Sequence, residues 1–272
     1  MSKKDVEEIY DKYASGYQSG DFAPETFDTG RVAMGFADDI TWHFLTKFLP
    51  EEKSIEILDA GAGDGYWAQK LVKLGYSNIV LADLSQGMLD QARKRFAKLR
   101  VKHNVKFVKS DIRNMVEFQS NTFDYVFSQY DAVSYCLKPR EAVLELARVA
   151  KKDAHVIVCL DTKFKRVSEL IEARQIHRAE ELLRTNISYD FTHPQYNLTW
   201  QELAEYYENA GLTIVEVVGA PVFMHQVNKN VLKGLEENIE VRTRLLEMEL
   251  KHCTNRSLVN FAGHLQMIGR KT

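Results

Sequence analysis

The sequence predicts an α/β fold: a doubly wound, mostly parallel seven-stranded sheet with an antiparallel last strand, an N-terminal helical cap and helical insertions near the C-terminus. Three observations predict it. Short apolar, β-branched runs alternate with stretches of helical periodicity. The first two runs each end on an acidic residue, Asp59 and Asp83, before a turn. The first of those turns is Gly61-x-Gly63-x-Gly65, placed between a strand and a helix.

Residues 55–59 (IEILD) and 78–83 (NIVLAD) read as buried parallel strands one and two. Between them Trp67, Leu71 and Leu74 mark a helix that stops at Gly75. Ser85 caps a second helix carrying Met88 or Leu89, Ala92, Phe96 and Leu99, and residues 105–108 form strand three. Residues 123–127 are strand four, Pro139 to Ala150 a helix with proline in its first turn, and 155–160 strand five. Thr199-Trp200-Gln201-Glu202 is a capping box whose helix ends at Gly211 before strand six, 213–218. Residues 263–269 alternate polar and apolar and read as an antiparallel closing strand.

A chain of 272 residues with 45% hydrophobic content is read as one domain: a cap (1–50), a core (51–160), a lid insertion (161–198), and a C-terminal part (199–272) with a helical insertion at 220–260. Residues Leu235, Ile239, Leu246, Leu250 and Cys253 form a broken apolar stripe on a charged helix, which a lid or a homodimer contact would cover. With neither a membrane-length apolar run nor a signal-peptide pattern, a cytoplasmic location without membrane contact is expected. Cys136, Cys159 and Cys253 lack metal-ligand spacing, so no metal site is expected. Lys+Arg 36 against Asp+Glu 38 supplies no overall charge for phosphate backbones, so no nucleic-acid partner is expected.

A glycine turn after a strand lets backbone approach a ligand closely. A dinucleotide fingerprint would need its third glycine where Tyr66 stands, and the GxxxxGK[ST] phosphate loop is absent. Residues 57–65 (ILDAGAGDG), Asp83, Ser110-Asp111-Ile112 and residues 123–131 together resemble the ordered strand-end motifs of the class I S-adenosylmethionine-dependent methyltransferases of the small-molecule group. The resemblance implies S-adenosylmethionine as cofactor. It places Asp59, Ala60, Gly61 and Gly63 around the methionine and sulfonium portion, and Asp83 on the ribose hydroxyls, where a carboxylate can accept two donors. Leu84 and Met88 fall against adenine or in ordinary helix core. Asp111 and Ile112 fall at the adenine edge, where Asp111 could equally serve as a turn cap. Ser128 and Gln129 fall on the exit that faces the methyl group.

Tyr10, Tyr13 and Tyr17 stand at helical steps similar to that group's entry helix; Tyr17 and Arg31 are candidates for the methionine carboxylate. Tyr130, Asp131, His193 and His225 lie in segments expected to border the pocket, with Tyr130 and His193 as the catalytic candidates. Asp161, just past strand five, borders the same edge or caps the next helix. The expected reaction is methyl transfer to N, O or S of a small molecule. Another reaction on the same cofactor (aminocarboxypropyl transfer or cyclisation) and a non-catalytic binding subunit are the alternatives.

Overall fold

The fold was described from a computed structural model, which covers residues 3–14, 30–190, 193–227, 235 and 238–272. Helices α1 (Lys3–Tyr13) and α2 (Gly30–Lys47) precede the alternating series β1 (Ile57–Ala60), α3 (Tyr66–Lys73), β2 (Asn78–Asp83), α4 (Gln86–Ala97), β3 (Asn104–Lys109), β4 (Phe123–Ser128), α5 (Ala132–Tyr135), α6 (Pro139–Val149) and β5 (Ala150–Asp161). There follow α7 (Lys163–Glu172), α8 (Ile176–Thr185), the strands β6 (Ile187–Asp190) and β7 (His193–Tyr196), α9 (Trp200–Asn209), β8 (Leu212–Ala220), α10 (Ile239–His252), α11 (Arg256–Val259) and β9 (His264–Lys271).

Seven strands form one sheet in the order β3-β2-β1-β4-β5-β9-β8. The five from β3 to β5 are parallel, and β9 runs antiparallel to both neighbours, pairing Ile157 with Ile268 and Val217 with Met267. The last strand is therefore antiparallel as expected, but it is inserted between β5 and β8, leaving β8 at the edge. Strand alternation splits the core into two layers. Leu58, Val126, Val156 and Leu265 face α6 and α9, which contribute Leu146 and Tyr207. Ile57, Tyr125, Ile157 and Ile268 face α2, α3 and α4, which contribute Ile40, Trp67, Leu71 and Phe96. Helix α3 has only eight residues, too few to persist alone; burial of Trp67 and Leu71, worth about 2 kcal/mol each, holds it to the sheet.

Several local expectations need adjustment. Leu74 is exposed because α3 ends before it. Strand β5 begins at Ala150 directly from α6, five residues earlier than the apolar run indicates, since its first residues lie where charged side chains reach solvent. The insertion expected over 161–198 carries α7, α8 and the antiparallel pair β6–β7. Ile239 is exposed, whereas Leu246 and Leu235 pack beside Phe36 of α2 and Met224, so part of the apolar stripe is covered within the chain. All three cysteines are buried free thiols. The capping box of Thr199 and Glu202 and the Ser85 cap form as expected.

Candidate active site

Strand order reverses between β1 and β4, which opens a crevice at the carboxyl ends of these strands, the edge where open α/β sheets bind ligands. The glycine turn lies there. Gly61, Gly63 and Gly65 have φ of 73°, 53° and 77°, all left-handed. A Cβ on Gly61 would fall 2.2 Å from Ala132 Cβ, so only glycine lets the turn lie against the start of α5. At Gly65 a Cβ would meet Phe96 and Leu81 at 2.7 and 2.8 Å, so the tight helix–strand contact occurs at this third glycine, directly before Tyr66.

The amide of Gly63 donates to Asp83 Oδ2 and that of Ser85 to Asp83 Oδ1, each at 2.8 Å. One donor per oxygen orients the carboxylate and leaves acceptor capacity on both oxygens. Burial raises the Asp83 pKa, against these two hydrogen bonds. Asp59 is buried, and its Oδ2 has no hydrogen-bond partner among the described residues. Burial, reinforced by the charges of Asp83 and Asp64, holds its pKa well above the usual carboxylate value.

Ser85 Oγ accepts from the Met88 amide at 3.1 Å, and Met88 is buried beneath the first turn of α4. Leu84, Lys109, Ser110, Asp111 and Asn114 line a cleft of about 130 Å³ beside it. Asp111 is held there by Arg113, whose Nε and Nη2 reach its two oxygens at 3.0 and 2.9 Å. Its Oδ1 also accepts the Arg113 amide, so the turn-capping role is realised at the cleft wall. Ile112 packs against the core.

Helix α1 crosses this edge. Asp11 accepts Ser85 Oγ at 2.5 Å and the Gly87 amide at 2.9 Å, and Glu7 pairs with Lys109. Tyr10 packs on Tyr135 and His193 at ring-centroid distances of 6.0 and 5.9 Å. Residues 7, 10 and 11 share one helix face, which explains why all three reach down; Tyr13 is exposed. Tyr17 lies outside the described residues, as does the side chain of Arg31, whose backbone begins α2.

On the other side of the crevice Ser128 and Gln129 are fully buried at the end of β4. Tyr130 and Asp131 then take left-handed φ of 49° and 71°, turning the chain into α5. The Tyr130 hydroxyl donates to Asp38 of α2, which also accepts from Tyr66 at 3.0 Å. Burial and the Asp38 charge push the Tyr130 phenol far above its ordinary pKa. His193, the other catalytic candidate, sits 4.6 Å from the Tyr135 ring. His225 Nε2 lies 3.9 Å from Glu169, and its charge adds to the lowering of the His264 pKa.

Three residues absent from the expected set complete this side: Asp38, Lys165 and His264. His264 Nε2 lies 3.5 Å from Asp161 and 3.8 Å from Asp131, under the Tyr130 ring at 4.9 Å. Burial pushes its pKa down to about 4, against the Asp161 charge. One ligand atom from each of Asp131, Asp161 and His264 lies within 4.8 Å of the others, a spacing that could hold a cation. Lys165 already supplies the positive charge, 2.6 Å from Asp161 Oδ1. His264 was legible only from direction: it opens an antiparallel strand, whose start falls at the edge where the parallel strands end.

These features fit S-adenosylmethionine: a buried carboxylate at Asp59 whose Oδ2 has no partner among the described residues, a glycine cradle that a Cβ would fill, and an oriented acceptor at Asp83. Residues 57–153 match the family described as a methyltransferase domain. The chain carries the methyltransferase domain of the class I S-adenosylmethionine-dependent enzymes, and S-adenosylmethionine is the cofactor of that class. Among relatives, demethylmenaquinone methyltransferase of Clavibacter sepedonicus is 28% identical over 162 residues, 58% of this chain and 60% of that protein, less than two thirds of its length. The tRNA 5-carboxymethoxyuridine methyltransferase of Escherichia coli K12 is 21% identical over 237 residues, 85% of this chain and 87% of the relative. A solved S-adenosylmethionine-dependent methyltransferase from Methanosarcina mazei shares the fold, with TM-score 0.59, 16% identity, and coverage of 84% of this chain and 96% of that one.

Proposed function

We propose that this protein transfers the methyl group of S-adenosylmethionine to N, O or S of a small-molecule acceptor. The carrying observation is the juxtaposition, across one crevice, of the Asp59–Gly61–Asp83 cradle with the buried polar exit formed by Ser128, Gln129, Asp131 and His264. The cofactor, when bound, supplies a methyl activated by its sulfonium. The chain's task is to align the acceptor and exclude water.

Asp83 receives the vicinal hydroxyls of the ribose, and the Gly61 turn admits the sulfur-bearing chain close to backbone. Helix α1 and the rings of Tyr10, Tyr135 and His193 close the site to solvent. Tyr130 remains a neutral phenol anchored on Asp38 and shapes the exit without acting as a base. An acceptor proton leaves toward the Asp131–Asp161–His264 group, whose imidazole is neutral at physiological pH.

Calorimetric titration with S-adenosylmethionine and S-adenosylhomocysteine tests the cofactor site; absence of binding to both sinks the reading. Mass spectrometry of the spent cofactor separates methyl transfer, which leaves S-adenosylhomocysteine, from aminocarboxypropyl transfer, which leaves methylthioadenosine. A second reading, methylation of tRNA, is favoured by the alignment to the Escherichia coli enzyme across 85% of the chain. The balanced charge of the chain favours the small molecule. Labelled methyl recovered in the tRNA fraction of a cell extract, with none in the metabolite fraction, would reverse that preference.

A further inference from the structure

Strand β7 carries polar side chains where an inward-facing strand would normally carry apolar ones. His193 and Gln195 of β7 and Asn197 directly after it stand at alternate positions, each buried, the last two completely. Ser188 lies directly opposite Gln195 in the paired strand β6 and is also buried. A hydrogen-bond chain orders the amides: Gln195 Nε2 donates to Ser188 Oγ at 3.4 Å, and Ser188 Oγ donates to Asn197 Oδ1 at 2.6 Å.

That chain uses the amino group of Gln195 and the carbonyl of Asn197. It leaves the opposite pair, Gln195 Oε1 as acceptor and Asn197 Nδ2 as donor, buried without partners among the described residues. Ser134 Oγ, on the short helix α5 that leads away from the methyl-facing exit, is likewise buried and unpartnered. The two elements meet where the His193 ring packs on Tyr135 of α5. Native proteins pair nearly all buried polar atoms, so an ordered acceptor, an ordered donor and a hydroxyl left open along one wall point to a ligand that completes them.

Resting on the methyl-transfer reading, we infer that the β7 face and Ser134 recognise the methyl acceptor through an amide-type edge, adjacent N–H and C=O groups on a polar, planar molecule. Its N–H donates to Gln195 Oε1 and its C=O accepts from Asn197 Nδ2. Tyr10 of α1 packs on His193 beside this wall. An acceptor with no N–H or O–H donor at that edge, such as an oxidised isoprenoid quinone, would leave Gln195 Oε1 unpaired and is selected against.

The test uses the full chain saturated with S-adenosylhomocysteine and titrated, by saturation-transfer NMR and calorimetry, with uridine as the imide-edged probe and 2-methyl-1,4-naphthoquinone as the planar probe that has carbonyls but no donor for Gln195 Oε1. Uridine is expected to bind saturably and the quinone not to. Gln195→Leu and Asn197→Leu are each expected to weaken uridine about tenfold, the loss of one hydrogen bond to a buried partner, while leaving S-adenosylhomocysteine affinity unchanged. Ser134→Ala, a minimal truncation expected to fold, is expected to weaken it in the same sense and carries the test if the leucine variants do not fold. Saturable quinone binding without uridine binding, no uridine binding at all, or variants that shift only the melting temperature each overturn the inference. Failure of S-adenosylhomocysteine itself to bind would instead remove the parent reading.

Discussion

Adding one methyl group at Gly61 should push the glycine turn and the start of α5 apart. In Gly61→Ala the new Cβ would stand 2.2 Å from Ala132 Cβ, well inside the separation that real Cβ atoms tolerate. The turn or α5 must retreat by about an ångström, a displacement that costs on the order of 100-fold when it misaligns reacting groups. The left-handed φ of 73° adds about 1–2 kcal/mol for any residue with a Cβ. The methyl-transfer rate is therefore expected to fall by roughly 100-fold in the single variant, and S-adenosylhomocysteine affinity, measured by calorimetry, to fall with it. Ala132→Gly removes the colliding atom, so the double variant should recover to within about 5- to 30-fold of the parent, the residue being the φ penalty alone. The cycle must be non-additive. A Gly61→Ala protein that binds S-adenosylhomocysteine like the parent, or a double variant no better than the single one, would refute the reasoning.

Three other outcomes follow from buried charge. Glu249 of α10 accepts the amides of Val222, Phe223 and Met224 at 2.7 to 2.8 Å, with only Val222 on Oε2. Glu249→Gln turns one acceptor oxygen into a donor facing an amide, and urea denaturation should show a loss of about 3 kcal/mol; a loss below about 1 kcal/mol contradicts the assignment. Asp59 carries a raised pKa, so the stability present below the usual carboxylate value is lost as pH rises through the folded value, and the ionised form is penalised at neutral pH. Asp59→Asn should therefore melt a few degrees higher than the parent at pH 7, by a margin that vanishes in acid, while binding S-adenosylmethionine more weakly; a variant less stable at pH 7 would count against the unpaired carboxylate. Asp161 has the opposite sign: Lys165 overcomes burial and lowers its pKa, so its contribution is present above the usual carboxylate value and lost as pH falls through the lowered one. Lys165→Met should cost about 3–5 kcal/mol at neutral pH by denaturant titration, and that deficit should shrink as acid neutralises Asp161; a pH-independent deficit would assign Lys165 a packing role only.

The glycine-turn side of the crevice was readable from the chain because it is built from local rules. A strand ending on Asp59 or Asp83, a turn that needs left-handed glycines, and a serine that caps the next helix each declare themselves within a few residues. The side around Tyr130 is assembled from distant segments. Asp38 meets Tyr66 and Tyr130 across 28 and 92 residues. Nothing local in α2 marks Asp38 as different from Asp39, which instead pairs with Arg242. The paired strands β6 and β7 were not read as strands because their inward positions are polar, so the apolar alternation that announces a strand is missing.

By itself, then, the sequence determined the parallel core, its antiparallel partner strand and the glycine cradle, since periodicity and backbone sterics act over a turn or a strand. Only the tertiary structure decided where β9 enters the sheet. Inserting it beside β5 carries His264 to Asp131 and Asp161, and burial there, which no neighbour in sequence encodes, keeps the imidazole neutral.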